Sequence, residues 1–265
     1  MRRRSAGRSH PRPIMRPPRP RKPTRPHLTR SMTTAQAFEV VVLACLDDFA
    51  HNLRCVMTRD DPDGPRCARA ALRRLCSALD GFGPVLRPAA ADSVREEACG
   101  LCHALVRQRA AARLRADLVA RDADGFTARA RRRLSGTGWQ RRDAPARALL
   151  SASVAGVAAC ALDTARARAL AHGGRVARMP EGRRAALRDD LRVLRHLCEF
   201  FAPLWPAAAS EPALERLERL ERALRTHDDP AAQEGAGAAA LETAETLWTA
   251  MRDGPPWWRD LRPQG

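Results

Sequence analysis

Apolar residues near the start of the chain recur at helical spacing: Phe38, Val41, Val42, Cys45, Leu46 and Phe49. The spacing predicts a helix over 35–57, capped by Thr34 and broken by "TRDDPDGP". A second helix starts near Pro65, a favourable first-turn residue, and stops before Gly83-Pro84. A third is predicted over about 92–119, and "FTARARRRL" makes a fourth. "SGTGWQRRDAP" is the longest loop-like stretch and the natural midpoint. Helical spacing resumes over about 145–172 and, after "HGGRVARMPEG", over about 183–202. In "EPALERLERLERALR" one stripe holds Leu214, Leu217, Leu220 and Leu224. A last helix follows "THDDP" and ends near Met251, before "DGPPWW". Each half therefore carries roughly four helices. The expected architecture is all-α: two antiparallel bundles of similar plan, about 33–135 and 145–260, within one helical domain at 33–262.

One segment occurs twice. "RAALRRLCSALDGFGPVL" (69–86) and "RDDLRVLRHLCEFFAPLW" (188–205) align without a gap, 119 residues apart. Arg69, Leu72, Arg73, Leu75, Phe82 and Pro84 recur as Arg188, Leu191, Arg192, Leu194, Phe201 and Pro203. At about 100° per residue, Arg66, Arg69, Arg73 and Arg74 share one helix face, opposite Ala68, Leu72, Leu75 and Leu79. Arg184, Arg188, Arg192 and Arg195 share a face in the second copy, beside Leu187, Leu191, Leu194 and Cys198. A solvated face normally mixes signs at i,i+4. Stacking Arg over Arg is unfavourable until an anion relieves the repulsion, so both rows read as a phosphate or polyanion footprint. Arginine suits that ligand because its planar fork donates two hydrogen bonds to one phosphate. If the bundles pair with approximate two-fold symmetry, the rows face one shared groove.

Charge adds a second feature. The formal net charge is +17, and residues 1–32 hold ten Arg plus Lys22 with no acid. The remainder keeps 36 basic against 30 acidic residues. The crowded prolines of "PRPIMRPPRPRKPTRP" predict a solvated, partly polyproline arm, which favours nucleic-acid association as a rival reading. No apolar leader follows the early arginines, and Met15 and Met32 offer alternative starts. No run of roughly 18 apolar residues occurs, so no membrane span is expected. These features place the protein in the cytoplasm, with its eight cysteines reduced. Ala, Leu and Arg dominate and Tyr is absent, a bias that favours helix over sheet.

The repeated arginine segments resemble the CHAD domain, the conserved-histidine α-helical domain. Its first half carries a helix of the form His-x-x-Arg-Val-x-x-Arg-Arg-Leu-Arg, matched here by Arg69, Arg73, Arg74 and Leu75. Its second carries His-x-x-Arg-Ile-x-x-Lys-x-Leu-Arg-Tyr followed by Glu, matched by Arg188, Arg192, Leu194, Arg195 and Glu199. "DPDG", "ALRTHDDPA" and "PPWW" extend the likeness over about 34–260. Both naming histidines are replaced, by Arg66 and Ala185; Cys76 stands for an arginine and His196 for the tyrosine. The acids of an Arg-Asp-x-Asp pattern are missing from "RQRAA", which begins at Arg107. The resemblance implies a non-catalytic helical scaffold that binds inorganic polyphosphate through a basic surface. It also implies, for some members, attachment to polyphosphate or polyhydroxyalkanoate granules, and a scaffold that has lost its ligand is a further alternative.

Sharper chemistry is weaker. "CGLCH" (99–103) matches the haem c attachment pattern, but Cys99 and Cys102 stand one helical turn apart and are more simply packing residues. Zinc lacks a second cysteine pair. Asp47 with His51, and His227 with Asp228 and Asp229, read as a helix edge and a turn rather than metal sites. "RDDPDG" and "RDDLRV" fall short of the Asp-rich helices of prenyl-transfer enzymes, and no nucleophile with a partnered base is legible. Neither cofactor nor metal is expected, and an enzyme acting on phosphorylated substrates is the last alternative.

Overall fold

The computed structural model describes residues 18–107, 110–228 and 236–259. Among them the chain forms ten α-helices: α1 (Thr34–Thr58), α2 (Asp63–Gly81), α3 (Pro88–Arg107), α4 (Ala111–Ala120), α5 (Ala123–Leu134), α6 (Ala144–Ser151), α7 (Val154–Leu170), α8 (Glu181–Phe201), α9 (Ala207–His227) and α10 (Ala236–Asp253). No strand occurs among the described residues, and two isolated bridges tie Thr33 to Ser153 and Leu86 to Gln140. The fold is all-α, as expected.

Local chemistry explains several boundaries. Thr33, not Thr34, caps α1: its hydroxyl accepts from the Gln36 N–H at 3.2 Å, and the Gln36 side chain accepts from the Thr33 N–H at 2.9 Å. Thr34 is buried one residue inside and bonds the Ala152 carbonyl. Asp122 and Asp143 cap α5 and α6 one-sidedly, their carboxylates accepting from the Gly125 and Ala146 N–H groups at 3.2 and 3.0 Å.

Two predicted helices are each broken in two. The 92–119 segment becomes α3 and α4, with Ala110 extended (φ −84°, ψ 121°) ahead of α4. The break lets α4 turn Leu114 and Leu118 into the core while Arg115 donates to the Val56 carbonyl at 2.9 Å. The 145–172 segment becomes α6 and α7. Ala152 O accepts from Thr34 N at 2.9 Å and Val154 N donates to Met32 O at 3.1 Å, so tertiary pairing takes over from the helical ladder.

The helices form two groups, α1, α2, α3 and α5 in one and α7, α8, α9 and α10 in the other, joined where α2 meets α8. The repeat keeps its 119-residue register beyond these helices. A 3₁₀ turn at Gly83–Val85 answers one at Ala202–Leu204, and α3 and α9 begin at equivalent residues, Pro88 and Ala207. One core spans both groups. Phe38 meets Phe82 edge-on (5.3 Å between centroids) and packs tilted against Trp139 (4.2 Å), and Phe82 meets its repeat equivalent Phe201 at 5.6 Å. Trp139 is fully buried, so the midpoint loop anchors the core. Gly81 permits the close approach of α2 and α8, since a Cβ there would stand 2.5 Å from Leu197 Cδ2.

The basic arm departs from expectation. From Pro18 to Met32 the basic side chains stay exposed, but the segment is also anchored on the helices. Leu28 is 1% exposed and belongs to the core. Buried Asp48 accepts from the Thr24 N–H (2.6 Å) and hydroxyl (2.9 Å) and pairs with Arg21 at 3.0 Å. Buried Asn52 bonds both backbone groups of Arg21, and Arg30 donates to the Leu204 carbonyl. Composition registered the prolines and charges but not this anchor and its two receptors. Residues 1–17 of the arm and 260–262 of the expected domain lie outside the described residues.

Candidate anion site at the α2–α8 junction

Ser77 on α2 and His196 on α8 occupy equivalent repeat positions and touch: Oγ lies 2.9 Å from Nδ1, across 119 residues. The Ser77 hydroxyl donates to the Arg73 carbonyl at 3.1 Å, so it accepts from an Nδ1–H; Arg195 faces Nε2 at 3.4 Å. The imidazole is therefore neutral. Burial first, then Arg195, Arg74, Arg192 and Arg73, hold its pKa well below the usual value. Both side chains are buried and the hydroxyl proton is committed to a carbonyl, so the pair has no access to a substrate.

Four predicted arginines lie on α2. Arg66 is exposed and paired with Asp63 one turn away at 3.0 Å. Arg69 is partly exposed and Arg73 exposed, and neither has a carboxylate partner among the described residues. Desolvation first, then the Arg192 and Arg69 guanidiniums, push the Arg73 pKa below its ordinary value. Arg73 keeps an open surface, yet protein occupies much of the space around it. Arg74 is no part of the exposed row. It is 3% exposed, ion-paired with Glu199, bonded to the Thr24 carbonyl at 3.3 Å and stacked 4.6 Å from the Phe200 centroid. The 100° step from Arg73 carries it round the helix into the interior.

On α8 the expected row of uncompensated arginines is neutralised. Arg184 and Arg188 both clasp Asp228, at 3.0 and 2.7 Å. Arg192 pairs with Asp189, while Arg195 pairs with Glu199 and, at 2.7 Å, with Glu221. Glu221 and Asp228 come from the end of α9, a placement that helical periodicity does not contain. The fold thus brings Arg69, Arg73 and Arg192 together, joins Arg74 to Arg195 through Glu199, and leaves Arg66 and Arg184 near the starts of their helices.

The other candidates resolve into packing and pairing. Cys99 is exposed and Cys102 half-buried on α3, where Cys102 and Cys76 of α2 lie beside Cys99. Burial pushes Cys102 up to about 11 and Cys76 higher still, so neither is a ready thiolate. Among the described residues no group of three His, Cys, Asp or Glu is placed to hold a metal ion. Asp47 pairs with Arg131, His51 contacts the Arg19 carbonyl at 2.9 Å, and His227 contacts that of Gly237 at 3.1 Å. Asp229, Gln108, Arg109 and the Arg107 side chain lie outside the described residues. No helix among the described residues is long and apolar enough to cross a membrane.

The CHAD-domain family model matches residues 40–236, well over half of the chain. The chain belongs to the CHAD-domain family. A crystal structure of the CHAD domain from the plant Ricinus communis aligns with a TM-score of 0.56 at 20% identity, covering 92% of this chain and 98% of that one. PptA from Streptomyces chartreusis aligns at a TM-score of 0.46 and 15% identity, covering 83% of this chain and 98% of that one. No curated protein matches. The first likeness shows the shared CHAD fold. Within this CHAD domain, Arg66 and Ala185, where the resemblance places the family's histidines, lie near the starts of α2 and α8.

Proposed function

We propose that this CHAD domain is a non-catalytic polyanion-binding module whose ligand is inorganic polyphosphate. Phosphates would lie along the α2–α8 junction, held by Arg69, Arg73 and Arg192. The observation that carries the reading is the crowding of Arg73 by Arg192 and Arg69, which outweigh the attraction of Asp189, with no ion pair to either α2 arginine among the described residues. Like charges held together by a fold are relieved by an external anion, and arginine is the side chain that grips phosphate through paired hydrogen bonds. Arg74, Arg184, Arg188 and Arg195 serve in this reading as supports, because their charges are already engaged inside the protein. Arg66 stands beyond the cluster, next to Asp63. The CHAD resemblance implies the same ligand class.

The test is competition of labelled polyphosphate against unlabelled polyphosphate, DNA and RNA at several salt concentrations. Polyphosphate is expected to displace the label at a phosphate concentration at least ten times lower than either nucleic acid. Equal displacement by all three at every salt concentration would assign the binding to diffuse basic charge.

A further inference from the structure

The second half of the molecule holds a cavity of about 250 Å³, with mixed apolar and polar lining, between α9, α10 and the segment after α10. Leu217, Leu220, Leu247, Met251 and Trp257 make its apolar wall, and Arg166 and Arg216 are its charged lining residues. No carboxylate lines it among the described residues. Arg166 is partly spoken for: one of its nitrogens donates to the Met251, Arg252 and Gly254 carbonyls at 3.0–3.1 Å, closing the end of α10. Arg216 is exposed and has no ion-pair partner among the described residues. Its neighbours one turn away on α9 are Pro212, Ala213, Arg219 and Leu220, so no acid stands at the helical positions that would pair with it. The indole N–H of Trp257 is buried without an acceptor.

The internal repeat provides a control within the same chain. Because α3 and α9 start at equivalent residues, the counterpart of Arg216 in the first half is Glu97. Glu97 accepts from Arg129 at 3.0 Å and also pairs with Arg133, so the first half supplies both the anion and its cations. The second half places the cation at that position, lines the adjoining space with apolar side chains, and provides no anion among the described residues.

We propose that this cavity binds a small amphipathic carboxylate, a medium-length acyl or arylalkyl acid. Its chain lies against the leucines, Met251 and Trp257, and its carboxylate takes from Arg216 the pairing that Glu97 gives Arg129. The cavity approaches the roughly 300 Å³ at which small-molecule sites begin, which limits the ligand to about this size. The site is independent of the polyphosphate reading, because neither Arg166 nor Arg216 belongs to the α2–α8 cluster.

Titration calorimetry and saturation-transfer NMR of the full chain with octanoate, octylamine and 1-octanol test the assignment. Octanoate is expected to bind saturably, one per chain, at least ten times more tightly than octylamine, with octanol between them. Arg216→Ala should weaken octanoate at least tenfold and leave octanol unchanged. Ala250→Trp, a change at an exposed lining position, should block both while preserving the melting temperature and polyphosphate binding. Absence of saturable octanoate binding, equal affinity for octanoate and octylamine, or octanoate binding that survives both substitutions would overturn the proposal.

Discussion

Ser77 and His196 hold the same position in the two copies of one repeat, and they hydrogen-bond to each other at 2.9 Å. Phe82 and Phe201, again equivalent, stack nearby. A residue can meet its own counterpart only near a symmetry axis, so the pseudo-two-fold axis of the fold runs through the α2–α8 contact. Arg73 and Arg192 flank it one turn earlier in their helices. The axis sets two like charges side by side at a position where the sequence shows only two separate rows.

His196 makes stability depend on pH. Its folded pKa lies below the unfolded value of about 6.5, so the unfolded chain binds the additional proton on acidification. The stabilisation is complete above that value and falls as pH drops, by up to about 1.4 kcal/mol per pH unit for this one group. Thermal melts between pH 7.5 and 5 should show this loss in the native protein. His196→Gln keeps a donor and an acceptor and removes the titration, so its melting temperature should fall less steeply. Parallel curves for the two proteins would show that the imidazole does not contribute.

Removing Glu199 leaves the buried Arg74 charged without a carboxylate, whereas removing Arg74 leaves Glu199 with Arg195 alone. Glu199→Ala should cost about 3–5 kcal/mol in chemical denaturation, and Arg74→Met less, because Arg195 still pairs with Glu199. The double change should cost clearly less than the sum, because no buried charge is stranded. Strict additivity would show that the pair is not coupled in the folded protein.

The docked segment 18–32 should matter for stability. Leu28→Ala is expected to cost about 2–5 kcal/mol, the range for truncating a buried leucine. Deleting 18–32 should cost more, because Asp48 and Asn52 also lose their partners. An unchanged melting temperature in both variants would mean that the segment does not stay docked in solution.

Charge reversals test the proposed anion site residue by residue. Arg73→Glu and Arg192→Glu should each weaken polyphosphate binding at least tenfold and flatten its dependence on log salt by about one contact. Arg132→Glu, on an exposed position of α5, is the control and should change affinity only slightly. Arg131 is the poorer control, since it is paired with Asp47. Helicity should persist in all three proteins. Equal losses at Arg73, Arg192 and Arg132 would remove the reason for naming a site at the junction.

Periodicity and repetition were enough to determine an all-α chain in two related halves. They are written locally, in apolar residues three and four apart and in one segment printed twice. The 119-residue offset even carries the register into α3 and α9. What local pattern does not hold is the identity of distant partners. The breaks after α3 and α6 carry no glycine or proline at Ala110 or Ala152; the second is held by backbone pairing with residues beside the start of α1. Leu28 looks like one apolar residue in a proline-rich arm until α1 offers Asp48 and Asn52 to its neighbours. Arg73 and Arg74 are adjacent in sequence with the same charge, yet one is exposed beside Arg192 and the other is buried on Glu199. A solvated arginine and a neutralised one read alike in a sequence. Electrostatic energy depends on the few ångströms separating each charge from its partner, and only the folded chain sets that distance.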